Sequence, residues 1–363
     1  MKKLLYYSPE FFIDVDLPVL EFLSKKLTIL WVLVMDSESF YKEINITEFC
    51  KKNNIKYKII KNPYRKINPI HFLFSIKIIN YIKKFNPDIY YFEQFSNPYL
   101  TLCAKTFIPN NKIVVSVHDV LPHQEHSKHL ARIHKKIYLN IFNNYQVFSK
   151  HQAKLMREKF SPKKLFTIPL NLKDFGEPPK KNSTSNFPNF LFFGKIHYYK
   201  GLDILISAVN KIPKKYKFKI TIAGVCNNFK DYKDKIENDA YDYQIRLIEN
   251  EEIPKLFSNH HYLILPYRDV TQSGPLHIAY FYNIPVIASN LPGFREYIDD
   301  KKNGYLFTTE NPDSLAKTLI YIIENHKNNF PIISENLNKF VRNKMSKETI
   351  GNLYIQMFNE ILK

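Results

Sequence analysis

Short apolar segments alternate with helix-forming segments along most of the chain, and this alternation is interrupted once. Runs such as Thr28–Val34 and Lys112–Val120 are typical of strands that are buried on both faces of a sheet. Repeated strand–helix units predict an α/β fold in which helices cover both faces of a mostly parallel sheet. In such sheets, ligands bind beyond the carboxyl ends of the strands.

The interruption is the polar segment DFGEPPKKNSTSNFPN, residues 174–189. Its Pro, Ser, Asn and Lys content is typical of a linker, and 363 residues are more than one ordinary core needs. We therefore predict two α/β domains with a cleft between them. The predicted bounds are 1–173 for the N-terminal domain, 174–188 for the linker, 189–340 for the C-terminal domain and 341–363 for a C-terminal helical segment. For this last segment we consider an arrangement in which it packs back on the N-terminal domain.

Positive charge is concentrated in the first half of the chain. The formal net charge is +19, and residues 1–170 hold 27 Lys and Arg against 13 Asp and Glu. The stretch Lys51–Lys84 has ten basic residues and no acidic one. It includes a predicted helix, His71–Phe85, with an apolar face. Core packing with a solvated opposite face is one interpretation; contact with an anionic membrane surface is the other. The apolar face consists of Phe72, Ile76, Ile79 and Ile82.

The cysteines and the start of the chain bear on location. Cys50, Cys103 and Cys226 are scattered without a paired spacing, which favours a reducing compartment. The start, MKKLLYYSPEFF, predicts a first strand rather than a signal peptide. No uncharged apolar stretch is long enough to span a bilayer. We expect a cytoplasmic protein.

One stretch, Tyr262–Gly304, has the features of an anion-binding turn. It predicts a strand, a polar loop at Arg268–Gly274, a helix that starts at Pro275, and a second strand. Ser273 is a suitable N-cap and Gly274 permits a close approach of backbone. The free N–H groups and the dipole of a helix N-terminus favour an anion there.

A second group of polar residues follows the predicted strand that ends near Val117. His118 and Asp119 stand at the strand end, and three further histidines follow. No Cys or second carboxylate joins those histidines at a known zinc spacing. A polar loop that lines a cleft is favoured over a metal site, and we expect no metal. The three histidines are His123, His126 and His129.

Three segments resemble the retaining glycosyltransferases of family four: GKIHYYKGLDIL, LPYRDVTQSGPLHIAYFYNIPVIAS and NLPGFREYIDDKKNGYLF. The resemblance is strong over residues 189–310 and only architectural over 1–170. It implies the GT-B fold, with two Rossmann-like domains facing a cleft: an acceptor-side N-terminal domain and a nucleotide-sugar-binding C-terminal domain. It also implies a sugar transfer, with retention, from a nucleotide sugar to a glycan or lipid-linked glycan in surface polysaccharide or glycoconjugate synthesis, without a further cofactor.

The resemblance also implies site residues. Lys195 and Lys200 would neutralise the diphosphate of the donor without a metal. His118 corresponds to a histidine near the transferred sugar, where it would have a supporting catalytic role. The residues with implied donor-binding roles are Gly194, Lys195, Lys200, Gln272, Ser273, Gly274 and Glu296.

The sequence departs from the family pattern at two carboxylate positions. Many members place glutamates eight residues apart where this chain has Val270 and Ile278. Asp269 is one residue away and is a candidate substitute for the first. The N-terminal loop SPEFFIDVD lacks the paired glycines usual in the family. These differences leave the identity of the sugar open and suggest a specialised acceptor side.

Three other functions fit parts of the sequence. A nucleic-acid-binding protein would account for the positive charge, yet no recognition module is present, and we expect no nucleic-acid partner. Asp14 and Asp16 form the DxD pattern of metal-dependent GT-A enzymes, but the order of elements differs. The missing carboxylates would also fit a non-catalytic GT-B-like partner subunit. The expected partners are a nucleotide-sugar donor, a glycan or lipid-linked acceptor and an anionic membrane surface at the inner face of the cell membrane, contacted by residues 51–85.

Overall fold

The computed structural model describes residues 1–35, 41–61, 69–95, 97–121, 129–178 and 187–363. The chain divides into two compact units. The first unit consists of Met1–Asn171 and Lys347–Lys363, and the second of Leu172–Ser346. The boundary falls shortly before the predicted linker, of which residues 179–186 lie outside the described residues.

The first unit is built on a parallel sheet. Its strands are β1 (Lys3–Pro9), β2 (Thr28–Met35), β3 (Lys56–Lys61), β4 (Ile89–Phe92), β5 (Ile113–Val117), β6 (Asn144–Val147) and β7 (Lys164–Thr167). The order is β3-β2-β1-β4-β5-β6-β7, with every pair parallel. The direction of strand succession reverses between β1 and β4, so this sheet has its ligand-binding switch point beyond the carboxyl ends of those two strands.

Helices cover this sheet because its strands are apolar on both faces. They are α1 (Ile13–Ser24), α2 (Glu43–Lys52), α3 (Ile70–Lys84), α4 (Pro98–Phe107), α5 (His129–Ile141) and α6 (Lys150–Lys159). The core joins strand residues such as Leu5, Val32 and Val115 to helix residues such as Ile79 and Met156.

The second unit repeats the plan. Its strands are β8 (Asn189–Phe193), β9 (Lys219–Ala223), β10 (Tyr241–Gln244), β11 (Tyr262–Leu265), β12 (Val286–Ser289) and β13 (Gly304–Phe307). The order is β10-β9-β8-β11-β12-β13, again parallel. The switch point lies between β8 and β11. The helices are α7 (Leu202–Val209), α8 (Phe229–Lys233), α9 (Ile253–Ser258), α10 (Gly274–Phe281), α11 (Pro292–Arg295) and α12 (Pro312–Lys344).

The C-terminal helix α13 (Lys347–Ile361) belongs to the first unit and packs on α1. Gly351 permits this approach, because a Cβ at that position would lie 2.2 Å from the Phe22 ring. The Lys347 ammonium pairs with Glu21 at 3.2 Å. The last helix therefore returns to the N-terminal sheet.

Two local predictions were wrong. Residues Ser8–Asp16 were predicted as a loop, but β1 extends to Pro9, a 3-10 turn follows and α1 starts at Ile13. The first turn of α1 carries Asp14 and Asp16, whose negative charge suits the positive end of the helix dipole. The prediction that Phe72 belongs to the buried face of α3 was also wrong, since this side chain is exposed.

Within the described part of the chain, every helix is either too short or too polar to cross a bilayer. The three cysteines are free thiols; Cys50 and Cys103 are buried, and Cys226 is partly exposed.

Candidate active site

The switch point of the second unit is shaped by two glycines. Gly194 follows β8 with φ +104°, and Gly224 follows β9 with φ +138°. A Cβ on Gly224 would lie 2.3 Å from the Gly194 carbonyl oxygen. Left-handed backbone of this kind favours glycine. The two strand ends can therefore approach closely and leave an open space above Gly194.

The side chain of Lys200 occupies that space. Its ammonium lies 2.9 Å from the position that a Cβ on Gly194 would take, and Pro275 Cγ lies 3.8 Å from the same point. Lys200 is only 7% exposed, and among the described residues its ammonium has neither an ion-pair partner nor a hydrogen-bond acceptor. The Tyr267 ring centroid is 5.7 Å away, within cation–π range. Burial lowers the pKa of Lys200 to about 8, because desolvation disfavours the charged form. This is a buried cation that an anion would stabilise.

The backbone conformation at Gly201 holds Lys200 in place. Gly201 has φ +68°, and a Cβ there would lie 1.9 Å from the Pro266 carbonyl oxygen just beyond β11. The loop that carries Lys200 therefore lies directly against the end of β11. No residue with a side chain fits this contact without backbone movement.

Arg268 fixes the same loop from the other side. Its guanidinium donates to both carboxylate oxygens of Asp203, at 2.7 and 3.0 Å, in the bidentate geometry of strong ion pairs. It also donates to the Tyr198 carbonyl at 2.8 Å and lies 3.9 Å above the Tyr198 ring. Sequence reasoning missed this clamp, because the partners are 65 residues apart.

The N-terminus of α10 lies beside Lys200. Ser273 is its N-cap and accepts a hydrogen bond from the Leu276 N–H at 3.4 Å. Lys173 adds a second cation: its ammonium lies 3.4 Å from the Cβ position of Gly274. Gln272, before the cap, is half-buried. A helix N-terminus flanked by two ammonium groups is a strongly positive environment, and Lys173 was not a predicted site residue.

The two positions where family members carry glutamates are apolar and buried. Val270 and Ile278 are each 5% exposed, and a Cβ on Gly293 would lie 3.0 Å from Val270 Cγ1. Asp269 is exposed. The loop before α10 is thus held by apolar packing at these positions.

Two predicted residues stand at the margin of this site. The Lys195 side chain is exposed and lines a pocket of about 250 Å³ with His197, Asn228 and Tyr232. Glu296 is half-buried and caps the C-terminal end of α11. The structure therefore brings together Gly194, Lys200, Ser273 and Gly274, whereas Lys195 opens on a neighbouring pocket.

A larger pocket, of about 790 Å³, lies elsewhere in the second unit. Its lining includes Asn189, Lys219 and Tyr241, the first residues of β8, β9 and β10. It is therefore at the amino ends of the strands, away from Gly194. Ligands of parallel sheets bind at the carboxyl ends, so we base the site on Lys200 rather than on this pocket.

His118 stands directly after β5 in the first unit, and it is buried. Its Nε2 atom lies 2.5 Å from Oε1 of Glu93, the residue that follows β4. The rings of Phe12 and Phe148 stack on the imidazole with centroid distances of 3.8 and 4.2 Å. Sequence reasoning missed Glu93; a polar residue directly after the apolar strand IYYF was the signal that could have found it.

The predicted histidine cluster cannot be located. His123 and His126 lie outside the described residues, as does the side chain of His129. Within the described part of the chain, no group of three or more His, Cys, Asp or Glu side chains could hold a metal ion. Asp16 of the DxD pattern is buried and accepts a hydrogen bond from the Tyr6 hydroxyl at 2.7 Å.

Comparisons with known proteins bear on the family and the fold. Residues 175–344 match the family model described as Glycosyl transferases group 1. A curated relative from Klebsiella pneumoniae, an uncharacterized 41.2 kDa protein in the cps region, is 29% identical over 171 residues, which are 47% of this chain and 46% of the relative. The matched part thus spans about half the length of that relative.

Solved structures match along the whole chain. A glycosyltransferase from Rickettsia africae ESF-5 has a TM-score of 0.76 at 18% identity, covering 100% of this chain and 99% of its own. Anabaena HepE in complex with UDP-glucose has a TM-score of 0.72 at 15% identity, covering 99% and 100%. The expected GT-B fold of two Rossmann-like sheets is confirmed. Residues 175–344 are therefore similar to the Glycosyl transferases group 1 family, and the whole chain has the fold of known glycosyltransferases.

Proposed function

We propose that this protein is a glycosyltransferase that moves a sugar from a nucleotide-sugar donor to a glycan or lipid-linked glycan, with retention, in surface polysaccharide or glycoconjugate synthesis. The observation that carries the proposal is the buried Lys200 ammonium, which has no counter-charge among the described residues and lies beside the first turn of α10. A diphosphate supplies the charge that this site needs.

The transfer depends on stabilising the departing nucleoside diphosphate. As the bond between the anomeric carbon and the phosphate oxygen breaks, negative charge grows on that oxygen. Lys200 and the N–H groups of α10 would stabilise this charge, and they are already in place before the reaction. These groups belong to the protein itself, so we propose that the reaction needs no metal ion. Lys195 would contact the donor from the rim, and His118 would act at the acceptor edge of the first unit.

The relatives support the same function. The solved structure of Anabaena HepE holds UDP-glucose, and the Klebsiella relative is a protein of a cps region. The buried apolar side chains of Val270 and Ile278 supply no carboxylate to the sugar. We therefore propose that Ser273, Gly274 and Gln272 hold the donor through hydroxyl, amide and backbone groups, and that Glu296, which follows α11, also contacts it.

A screen of nucleotide sugars tests the proposal. We expect sugars of one nucleotide among UDP, GDP, ADP and dTDP to raise the melting temperature and to be hydrolysed slowly or transferred, equally well with and without EDTA. At a ligand concentration of 100 times Kd, binding should raise the free energy of unfolding by about 2.7 kcal/mol. Binding without hydrolysis or transfer to any acceptor would favour a non-catalytic partner subunit. A salt-sensitive response to oligonucleotides with none to nucleotide sugars would favour nucleic-acid binding, and loss of activity in EDTA would contradict metal independence.

We further propose that α3 contacts the cytoplasmic face of the cell membrane. Its exposed surface carries large apolar side chains, with Leu73 62% exposed, next to lysines such as Lys77. Apolar and basic groups on one exposed helix face suit an anionic lipid surface. The large exposed apolar residues of α3 are Ile70, Phe72, Leu73 and Tyr81.

Vesicle binding tests this contact. The full-length protein should co-sediment with vesicles of phosphatidylglycerol and phosphatidylcholine, and less with phosphatidylcholine alone or in high salt. Leu73→Glu should weaken binding about tenfold or more, because a leucine gives up its burial in the interface. Ile332→Glu is the matched control, since Ile332 is 59% exposed on α12 in the other unit. Equal binding by both variants would exclude α3 as the contact.

A further inference from the structure

The second unit has a small pocket at the end of its sheet opposite to Gly194. Its volume is about 330 Å³, within the usual range of ligand sites. Three segments line it, and each runs into one of three neighbouring strands. Phe187 precedes β8, residues of the segment 214–219 lead into β9, and residues 238–240 lead into β10. The amino edge of the sheet therefore forms this pocket, and the donor site at the carboxyl edge does not use it.

Three lysines of this pocket lack a counter-charge. Among the described residues, the ammonium groups of Lys214, Lys217 and Lys219 have neither an ion-pair partner nor a hydrogen-bond acceptor. Lys211, on the same connection between α7 and β9, differs from them, because it pairs with Asp313 at 2.5 Å. Like charges that line one pocket repel each other, and a bound anion relieves that repulsion. The pocket therefore favours an anionic ligand.

Aromatic rings form another part of the wall. Phe187 and Tyr216 are half-buried, and Phe218 is buried. The Tyr216 hydroxyl donates to Glu324 at 2.5 Å, and Nζ of Lys215 lies 5.1 Å from the centroid of the Tyr216 ring. These contacts hold the ring in one position. The negative face of an aromatic ring attracts the C–H groups of a sugar ring, so this wall suits a saccharide.

Two polar side chains of the pocket suit hydroxyl groups. Asp239 is exposed, and its carboxylate accepts hydrogen bonds. Asn238 Oδ1 accepts a hydrogen bond from the Ala240 N–H at 2.9 Å, which leaves the amide N–H groups of Asn238 as donors. A donor and an acceptor beside the lysines can bind the hydroxyl groups of a sugar that also carries a negative charge.

The larger pocket of about 790 Å³ continues from this one, since Lys219, Asp239 and Ala240 line both. Its further lining is polar and includes Lys255 and Asn259. A ligand that fills the small pocket can therefore extend into the larger one. The combined surface suits a chain of sugars better than a single small anion.

Two other kinds of anionic partner fit this surface less well. Among the described residues, none of the large exposed apolar side chains lies at 210–219 or 238–242, so the apolar anchor of a membrane-binding surface is missing. Asp239, Asp242 and Glu252 line the two pockets. These carboxylates repel the phosphates of a nucleic acid, whereas the hydroxyl groups of a saccharide donate hydrogen bonds to them.

We propose that the two pockets together bind an acidic saccharide chain, with its carboxylates at Lys214, Lys217 and Lys219 and one sugar ring against Tyr216. In a glycosyltransferase, such a site holds a growing glycan at a distance from the edge of the sheet where the donor binds. This role rests on the proposed function, whereas the binding of the saccharide does not. It also names the class of glycan that the protein handles, one that carries negative charge.

Binding of defined oligomers to the full-length protein tests the proposal. The probes are hexagalacturonate, the neutral maltohexaose and an oligothymidylate, titrated by calorimetry. We expect hexagalacturonate to bind more tightly than the other two and to bind more weakly in high salt. Absence of hexagalacturonate binding would overturn the proposal. Equal binding of maltohexaose would show that the lysines do not select charge, and equal or tighter binding of the oligothymidylate would indicate a nucleic-acid site instead.

Substitutions locate the binding. Lys214→Glu/Lys217→Glu should lower the affinity for hexagalacturonate about tenfold or more, because each change replaces an attraction by a repulsion. Lys219→Met removes the ammonium common to both pockets and should lower the affinity about threefold; it tests the site even if the double variant does not fold. Lys154→Glu/Lys159→Glu is the matched control, since it makes the same change of charge at two exposed lysines of α6 in the first unit, and it should keep the wild-type affinity.

The outcomes separate this site from the proposed function. Unchanged affinity in folded Lys214→Glu/Lys217→Glu, or an equal loss in both double variants, would overturn the site. The donor-induced rise in melting temperature reports on the proposed function independently. If hexagalacturonate binds at these lysines but no nucleotide sugar raises the melting temperature, the proposed function fails and the saccharide site stands. If a nucleotide sugar raises it and hexagalacturonate does not bind, only the saccharide site fails.

Discussion

Replacing Lys200 with methionine is expected to lower sugar transfer about 100- to 1000-fold, the usual effect of removing one group that stabilises transition-state charge. Methionine keeps the apolar stem but removes the ammonium. The donor-induced rise in melting temperature should disappear. Without donor, the variant should melt higher than the wild type, because a buried cation that has no counter-charge among the described residues is gone.

This combination separates a ligand-binding lysine from a structural one. A structural lysine would lose stability on replacement, whereas Lys200 should gain it and lose function. Lys195→Met is the matched control, since Lys195 is the exposed lysine of the same turn. We expect this variant to lower sugar transfer about tenfold or less, because exposed charges interact only weakly with their surroundings. Full activity in Lys200→Met or Lys200→Ala would refute the donor site described above.

The pH dependence of donor binding follows from the same group. The pKa of Lys200 is lowered to about 8, so donor affinity should fall about tenfold per pH unit above that value as the ammonium loses its proton. Stability of the unliganded protein changes in the opposite sense. Between pH 8 and the ordinary lysine pKa of about 10.4 the unfolded chain binds more protons than the folded one, so stability contributed by this group rises with pH. Denaturation and binding curves of wild type and Lys200→Met across this window measure both effects.

Replacing Gly201 with alanine is expected to destabilise the second unit by at least about 3 kcal/mol. The φ angle of +68° is unfavourable for alanine, and the new Cβ would lie 1.9 Å from the Pro266 carbonyl oxygen, which is backbone and cannot move aside alone. The loop carrying Lys200 would be displaced from β11. Donor binding should be lost along with stability.

Gly176→Ala is the control for the cost of placing alanine at a positive φ angle without a steric clash. Gly176 also has a positive φ, of +102°, but a Cβ there would have no atom within 4 Å. It should cost only the conformational penalty, about 1 to 3 kcal/mol, and leave donor binding intact. Urea denaturation of the two variants compares them directly. If Gly201→Ala were no less stable than Gly176→Ala, the contact with Pro266 would not matter.

Much of the fold could be predicted because its elements have local signatures. The strand predicted at Tyr262–Tyr267 is β11, the helix expected from Pro275 is α10, and Ser273 is its N-cap. Apolar periodicity and capping residues act within a few positions, so they are visible in the sequence. Other elements lacked such a signature. Strand β7 is short and half-buried, and the aromatic and acidic residues of the 3-10 turn and of the first turn of α1 were interpreted as part of a loop.

The site was predicted less completely. Lys200 was named through its motif, but its burial depends on Gly194, Gly201 and the end of β11, which come from separate segments. The Arg268–Asp203 clamp and the placement of Lys173 beside Gly274 were not predicted. Lysines look alike in a sequence, and only their surroundings distinguish a solvated charge from a buried one.

The sequence by itself determined the α/β class, the presence of two successive series of strand–helix units, and the anion-binding turn at Ser273 and Gly274. Each of these features depends on residue patterns within short segments. The tertiary structure decided which polar groups meet. Glu93 reaches His118 because β4 and β5 are neighbours in the sheet, and Lys200 meets α10 because β8 pairs with β11. Strand order and burial arise from the packing of the whole chain, so these pairings became visible only once the sheets had formed.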